Sequence, residues 1–256
     1  ILQLSMIVCL EGYKNMKKII IFGGSGGIGS AIASRLFNEG FQLHLVGRDQ
    51  AKLSETAGKF DADYTVGDVN DPELFAKVAA DAGEKIAGLV YAVGTMNLKS
   101  LLRLTPEEML NDFKVNALGA AMAVQSLLPA LKNNPEPASV LFFSSVAVDQ
   151  GFKMHASISM AKGAVSGLTR ALAAELAPKV RVNAIAPSLT ETPLTEGMLS
   201  NEKMVEAIAN MHALPRLGQP EDMADLAAFL ISEKSGWITG QIFGVDGGRS
   251  TLRIKS

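Results

Sequence analysis

Five glycines crowd the stretch Gly23-Gly24-Ser25-Gly26-Gly27-Ile28-Gly29, which follows directly on the apolar run Ile19-Ile20-Ile21-Phe22. Glycines at 23, 27 and 29 let a backbone turn tightly, approach a pyrophosphate closely and pack a new helix against a sheet. The unpaired N–H groups at such a helix start favour an anion. The stretch therefore predicts a strand turning into a helix that holds a dinucleotide, although a glycine-rich turn of this kind also occurs as pure structure.

Such a turn needs a sheet behind it. Apolar or β-branched runs at Lys18 to Phe22, Gln42 to Val46, Ala87 to Val93, Ser139 to Phe143, Val180 to Ile185 and Gln241 to Val245 read as buried parallel strands. Helical stretches at Ile28 to Asn38, Pro106 to Leu131 and Ala161 to Leu176 alternate with them. That alternation predicts an α/β fold, a doubly wound parallel sheet between two helical layers. Thr105-Pro106-Glu107-Glu108 and Gln219-Pro220-Glu221-Asp222 read as helix starts. The segment 188–215 departs from the alternation, with Thr190, Thr192, Pro193, Thr195 and Gly197 ahead of a helix-like Asn201 to Met211. It reads either as a lid over a substrate or as a surface helix pair whose stripe is Met204, Ile208 and Met211.

The chain has 256 residues, 48% of them hydrophobic, enough for one large core rather than two full domains. A formal net charge of -2, with no Lys/Arg run, gives no field for nucleic acid. The single Cys9 and the absence of a long apolar run lead us to expect a soluble cytoplasmic protein that does not engage a membrane. No metal centre is expected. Residues 1–15 are expected to be an appendage, non-native or disordered, ahead of a start at Met16-Lys17-Lys18, with residues 16–256 forming one domain.

From Lys17 to Ser250 the chain resembles the short-chain dehydrogenase/reductases. The marks are the glycine loop, Gly67-Asp68-Val69, Lys114-Val115-Asn116, Ser144-Ser145-Val146, the run Arg181 to Pro187, the run Arg216 to Glu221, and Val245-Asp246-Gly247-Gly248. The resemblance implies a Rossmann-type sheet of about seven strands in three α/β/α layers. In that family a tyrosine moves the proton, a serine binds the substrate oxygen, a lysine lowers the tyrosine pKa and holds the nicotinamide ribose, and an asparagine supports a relay water. By position Asn116, Ser145 and Lys162 match the last three. The tyrosine should stand four residues before Lys162 and thirteen after Ser145, and both counts land on Ile158.

His155 stands seven before Lys162, where the related enoyl reductases place their tyrosine. If the helix already runs through Met154, His155, Ile158 and Lys162 share one face and a neutral imidazole relays a proton; otherwise His155 is a loop residue. Of the three tyrosines, Tyr91 is expected near the cofactor, packing rather than reacting. The resemblance further implies that Gly23, Ser25, Gly27, Ile28, Gly29, Ala92, Gly94, Lys162, Pro187, Thr190 and Thr192 contact the cofactor, with Asp68 and Val69 at the adenine. Gly47-Arg48 ends the second strand without an acidic residue, and Arg48 suits a 2′-phosphate, which favours NADP over NAD; Asp49, directly after, argues the other way. Phe22 and Ser188 replace the family's usual threonine and glycine. The expected activity is an NADP(H)-dependent oxidoreduction of a small carbonyl or alcohol with an altered proton donor. The alternatives are a silent NAD(P)-binding sensor or partner subunit, and reduction of a polarised double bond. Relatives form tetramers through the helices that correspond to Pro106 to Leu131 and Ala161 to Leu176, so a homotetramer is expected.

Overall fold

The computed structural model describes residues 17–253; the expectations for residues 1–16, Cys9 and Tyr13 included, lie outside the described residues. Seven strands are described: β1 Lys18–Phe22, β2 Gln42–Gly47, β3 Asp63–Val66, β4 Gly88–Tyr91, β5 Ala138–Phe143, β6 Val180–Pro187 and β7 Ile242–Val245. They form one sheet in the order β3-β2-β1-β4-β5-β6-β7, every neighbouring pair parallel. The strand order reverses at β1, so a crevice opens beyond the carboxyl ends of β1 and β4, where sheets of this kind bind ligands.

Each inner strand is buried on both faces, which is why it reads as a continuous apolar run. Along β1, Ile20 and Phe22 join one core with Leu127, Leu131 and Val165, while Ile19 and Ile21 join the other with Ile32, Leu36 and Ala227. Helices α1 (Gly27–Asn38), α2 (Gln50–Lys59) and α9 (Pro220–Ile231) cover the second face. The first is covered by α3 (Glu73–Ala82), α5 (Gly119–Lys132) and α6 (Ala156–Leu176). Phe22 packs its ring against Tyr91 at 5.6 Å and Phe75 at 6.0 Å, so aromatic contact takes the place of the hydroxyl its position lacks.

The seventh strand, and two corrections of helix bounds, come from the structure. The edge strand β3 was not among the apolar runs because Asp63 and Tyr64 are exposed and only Thr65 is buried. Helix α6 begins at Ala156 rather than Ala161. The helix expected over Pro106 to Leu131 is α4 (Pro106–Phe113) and α5 joined by a π-helical turn, Lys114–Leu118. Tyr91 accounts for that turn: its hydroxyl donates to the Val115 carbonyl at 2.7 Å and fills the space beside Gly119, where any Cβ would overlap it. Among the described residues no helix is long and apolar enough to cross a membrane.

Candidate active site

The glycine stretch forms the turn from β1 into α1. Gly23 has φ +79°, and its N–H donates to the Val46 carbonyl at 2.8 Å. A Cβ on Gly23 would stand 2.8 Å from the Ala92 carbonyl oxygen, one on Gly27 2.9 Å from Thr192 Cγ2, and one on Gly29 would overlap the Gly23 carbonyl oxygen. No side chain caps α1 and its first turn carries no acidic residue, so its N–H groups and positive dipole end remain for an anion. Ser25 Oγ lies 3.2 Å from where a Gly47 Cβ would stand, next to Arg48 at the end of β2. Arg48 is exposed, whereas the Asp49 carboxylate accepts from Lys52 N at 3.1 Å and caps α2. Beyond β3, Asp68 accepts from Asn70 N at 2.8 Å and Val69 packs on the core. A cradle closed to side chains and open to backbone donors fits a dinucleotide pyrophosphate.

Beside this turn lies a cavity of about 290 Å³. It gathers Ile28, Ala92, Gly94, Ser145, His155, Ile158, Lys162, Pro187, Thr190 and Thr192, while Arg48, Asp68 and Val69 stand apart at the ends of β2 and β3. Ser145 accepts from Ala147 N at 3.1 Å, so it caps the turn Val146–Val148 and still presents its hydroxyl proton. Its neighbour Ser144 bonds Ser166 at 2.7 Å and holds β5 to α6.

Lys162 donates from Nζ to the Phe143 carbonyl at 2.8 Å. Removal from water lowers its pKa to about 8, with the Asp112 carboxylate opposing the shift. A Cβ on Gly94 would stand 3.0 Å from Asn116 Oδ1 and 3.5 Å from Lys162 Nζ, so both atoms converge on the bare Cα of Gly94. Asn116, on the π turn, donates from Nδ2 to Thr95 Oγ1 at 2.9 Å and to the Asp112 carbonyl at 2.8 Å. Its Oδ1 is buried without a hydrogen-bond partner among the described residues.

Sequence reasoning missed the group that fixes this asparagine. Asp112 is fully buried and accepts from Thr95 Oγ1 at 2.6 Å through one oxygen and from Ser157 Oγ through the other. The available signal was its position one helical turn before Asn116, an acid on an otherwise buried face.

The helical face expected for His155 is not formed. Met154 has φ +66°, a left-handed conformation that stops the helix, and His155 precedes the first helical residue. Its Nδ1 lies 2.7 Å from the Lys153 carbonyl, which can only accept, so Nδ1 donates its proton there. Tyr91 packs, as expected; burial pushes its phenol pKa far above the ordinary value.

The segment 188–215 carries α7 (Glu196–Leu199) and α8 (Glu202–Ala209). Leu194, Met198 and Ile208 line the cavity, while Met204 and Met211 are exposed, so only part of the stripe faces inward. Thr195 Oγ1 donates to the Thr190 carbonyl at 2.7 Å, closing a turn within the segment, and His212 Nε2 bonds Ser188 Oγ at 2.8 Å, bringing the far end of the segment back to the residue after β6.

Residues 23–250 match a family model described as enoyl-(acyl carrier protein) reductase. The chain belongs to the short-chain dehydrogenase/reductase family. Members of this family are oxidoreductases that bind a nicotinamide cofactor. This short-chain dehydrogenase/reductase is 33% identical over 254 residues to L-2,3-butanediol dehydrogenase of Corynebacterium glutamicum, covering 91% of this chain and 98% of that one. A short-chain type dehydrogenase/reductase from Mycobacterium ulcerans shares its fold with a TM-score of 0.87 at 25% identity, over 93% of this chain and 90% of the other. An actinorhodin polyketide ketoreductase solved with NADPH gives a TM-score of 0.87 at 25% identity, over 93% and 98%.

Replacing Asp112 by Leu leaves the Thr95 and Ser157 hydroxyls without their acceptor, and the folded state should lose about 2 kcal/mol or more. Urea denaturation measures the loss; an unchanged midpoint would show that the carboxylate is not what holds Thr95 and Asn116.

Proposed function

We propose that this short-chain dehydrogenase/reductase is an NADP(H)-dependent reductase of small carbonyl compounds, and in the opposite direction a dehydrogenase of the alcohols. In this reading Ile158 stands where relatives carry the proton-donating tyrosine, and the Lys162 ammonium donates instead. The carrying observation is the placement of Lys162 in one cavity with Ser145 and the buried Ile158, with a pKa brought down to about 8. A lysine tuned towards neutrality is suited to general acid–base work.

The nicotinamide, when bound, supplies the hydride. Ser145, whose oxygen already accepts from Ala147 N, directs its hydroxyl proton to the substrate oxygen. Lys162 hands its proton to that oxygen as negative charge develops there, and Asn116 Oδ1 accepts from the water that returns it. Ile158 keeps bulk water from this pair. NADP is supported by the free Arg48 guanidinium, by the commitment of Asp49 to a helix cap, and by the NADPH held in the ketoreductase neighbour. The assembly we propose is a homotetramer. Leu110, Phe113 and Leu118 on the α4 to α5 helix and Met160 on α6 are exposed, an apolar set suited to a covering copy. Light scattering should give four chain masses; a single chain mass would overturn that assembly.

Cofactor fluorescence should show tighter binding of NADPH than of NADH, and Arg48→Ala should cut the NADPH affinity by about 10- to 100-fold while sparing NADH. Absence of binding to either nucleotide would sink the reading, and binding without oxidation by any ketone would leave a silent cofactor-binding protein.

The donor is the protonated amine, so reductase kcat should hold level below pH of about 8 and fall with each unit above it. His155→Ala should retain that limb. Ile158→Tyr should raise the rate by roughly 10²- to 10⁴-fold. A rate indifferent to pH through this range would remove Lys162 as the acid.

A further inference from the structure

Arg249 follows the Asp246-Gly247-Gly248 turn beyond β7, and its side chain lines the cavity that contains Ser145 and Lys162. Its backbone is pinned on both sides: its N–H donates to the Asp246 carbonyl at 3.1 Å, and its own carbonyl accepts from Gln150 Nε2 at 2.8 Å. The guanidinium carbon stands 4.9 Å from the Phe152 ring centre, a cation–π contact, and Phe152 in turn lies against His155. Yet Nη1 of Arg249 is buried with no hydrogen-bond partner among the described residues.

The buried Arg181 differs. Arg181 spends its N–H groups on the Leu230 and Ser232 carbonyls and on Ser235 Oγ. Asp246 is the neighbouring anion, but its oxygens accept from Gly248 N and Ser250 N, each at 2.9 Å, and no ion pair joins it to Arg249 among the described residues. Arg249 as a whole is half-buried and reaches the cavity, and an unmade charged donor shielded from water is costly, so the guanidinium suits an acceptor brought by a ligand. The surrounding wall is apolar, built of Leu98, Leu189, Leu194, Met198 and Ile208. One planar cation in such a wall matches a carboxylate, which the guanidinium fork meets with two parallel bonds. A phosphate dianion would need a second cation or a set of backbone donors there. The ends of β5 and β7 lie two strand spacings apart, roughly 10 Å, which leaves room for a carbon chain between the reacting oxygen at Ser145 and the acid group.

We infer that Arg249 binds the carboxylate of the substrate, and that the substrate class is a linear keto acid, or the matching hydroxy acid in the opposite direction, with its chain along the apolar wall. The inference rests on the carbonyl reductase reading. Its test separates the two.

Calorimetric titration of the NADPH-bound protein with hexanoate and with hexanamide should show the carboxylate binding at least 10-fold more tightly, and Arg249→Gln should abolish that preference. In turnover, levulinate and its longer homologues should exceed their own methyl esters in kcat/KM by roughly 10- to 100-fold, the difference residing mainly in KM. The same variant should bring acid and ester to parity. Equal binding of hexanoate and hexanamide, or an acid preference that survives Arg249→Gln, overturns the inference while leaving cofactor binding and reductase activity on neutral ketones as separate measurements. Failure to bind NADPH would instead strike the underlying reading, and the hexanoate preference of the cofactor-free protein would still decide the role of Arg249.

Discussion

Backbone crowding at the first turn governs the rest of this molecule. The carbonyl of Gly23 sits where a side chain on Gly29 would go, the carbonyl of Ala92 where one on Gly23 would go, and the methyl of Thr192 where one on Gly27 would go. The end of β1 and the segment after β4 therefore meet backbone to backbone, and Thr192 and Pro193 of the 188–215 segment press their side chains onto the same glycine turn. Only glycine permits three chain segments to close on one point in this way. The close packing also leaves α1 starting with exposed N–H groups and no competing carboxylate, so the same geometry that locks the fold creates its anion site.

A second consequence of close approach is a polar cluster inside an apolar cavity. Asn116 Oδ1 and Lys162 Nζ come together over Gly94, and the asparagine is held by Thr95, which is held by Asp112, which also takes Ser157 from α6. Partly satisfied networks in low dielectric surroundings are costly, and here the cost is confined to a few atoms. Among the described residues the unpartnered buried side-chain atoms are His44 Nδ1, Asn116 Oδ1 and Arg249 Nη1. His44 belongs to a structural thread through Thr65 to Asp81 between β2, β3 and α3, and burial holds its pKa low. The other two belong to the candidate site and its cavity.

The sheet was legible because the five buried parallel strands announce themselves as apolar runs; edge strand β7 also read as one, although its residues are half-buried or exposed rather than buried as expected. The edge strand β3 did not, since half of its residues face water, and neither did α2, which buries only Leu53 and Ala57. The glycine turn was readable from its residues, Ser145 and Lys162 from the family resemblance, and both side chains line one cavity beside that turn. Of the two readings open for His155, the structure has the residue at the helix start, because left-handed Met154 keeps the helix from beginning before it. The spacing of Asp112 from Asn116 hinted at a shared face, but the role of its carboxylate and that of Arg249 depend on partners far along the chain. Ser157 is 45 positions from Asp112, and Gln150 is 99 from Arg249. Spacing along one helix carries no trace of such pairings.

The π turn at Lys114–Leu118 sets an angular relation between two halves of one rod. Its N–H at Gly119 reaches back to the Lys114 carbonyl, so the turn holds one residue more than an α-helical turn. That surplus residue amounts to about 100° of rotation about the axis. Rewinding the same residues to α geometry, with none removed, would swing Asp112 roughly a quarter of a revolution relative to Ala120, Ala123 and Leu127, which stay clamped to the sheet. The phenol of Tyr91 works as the wedge that keeps the looser winding open, so an inert ring in the interior sets the azimuth of the cluster above it.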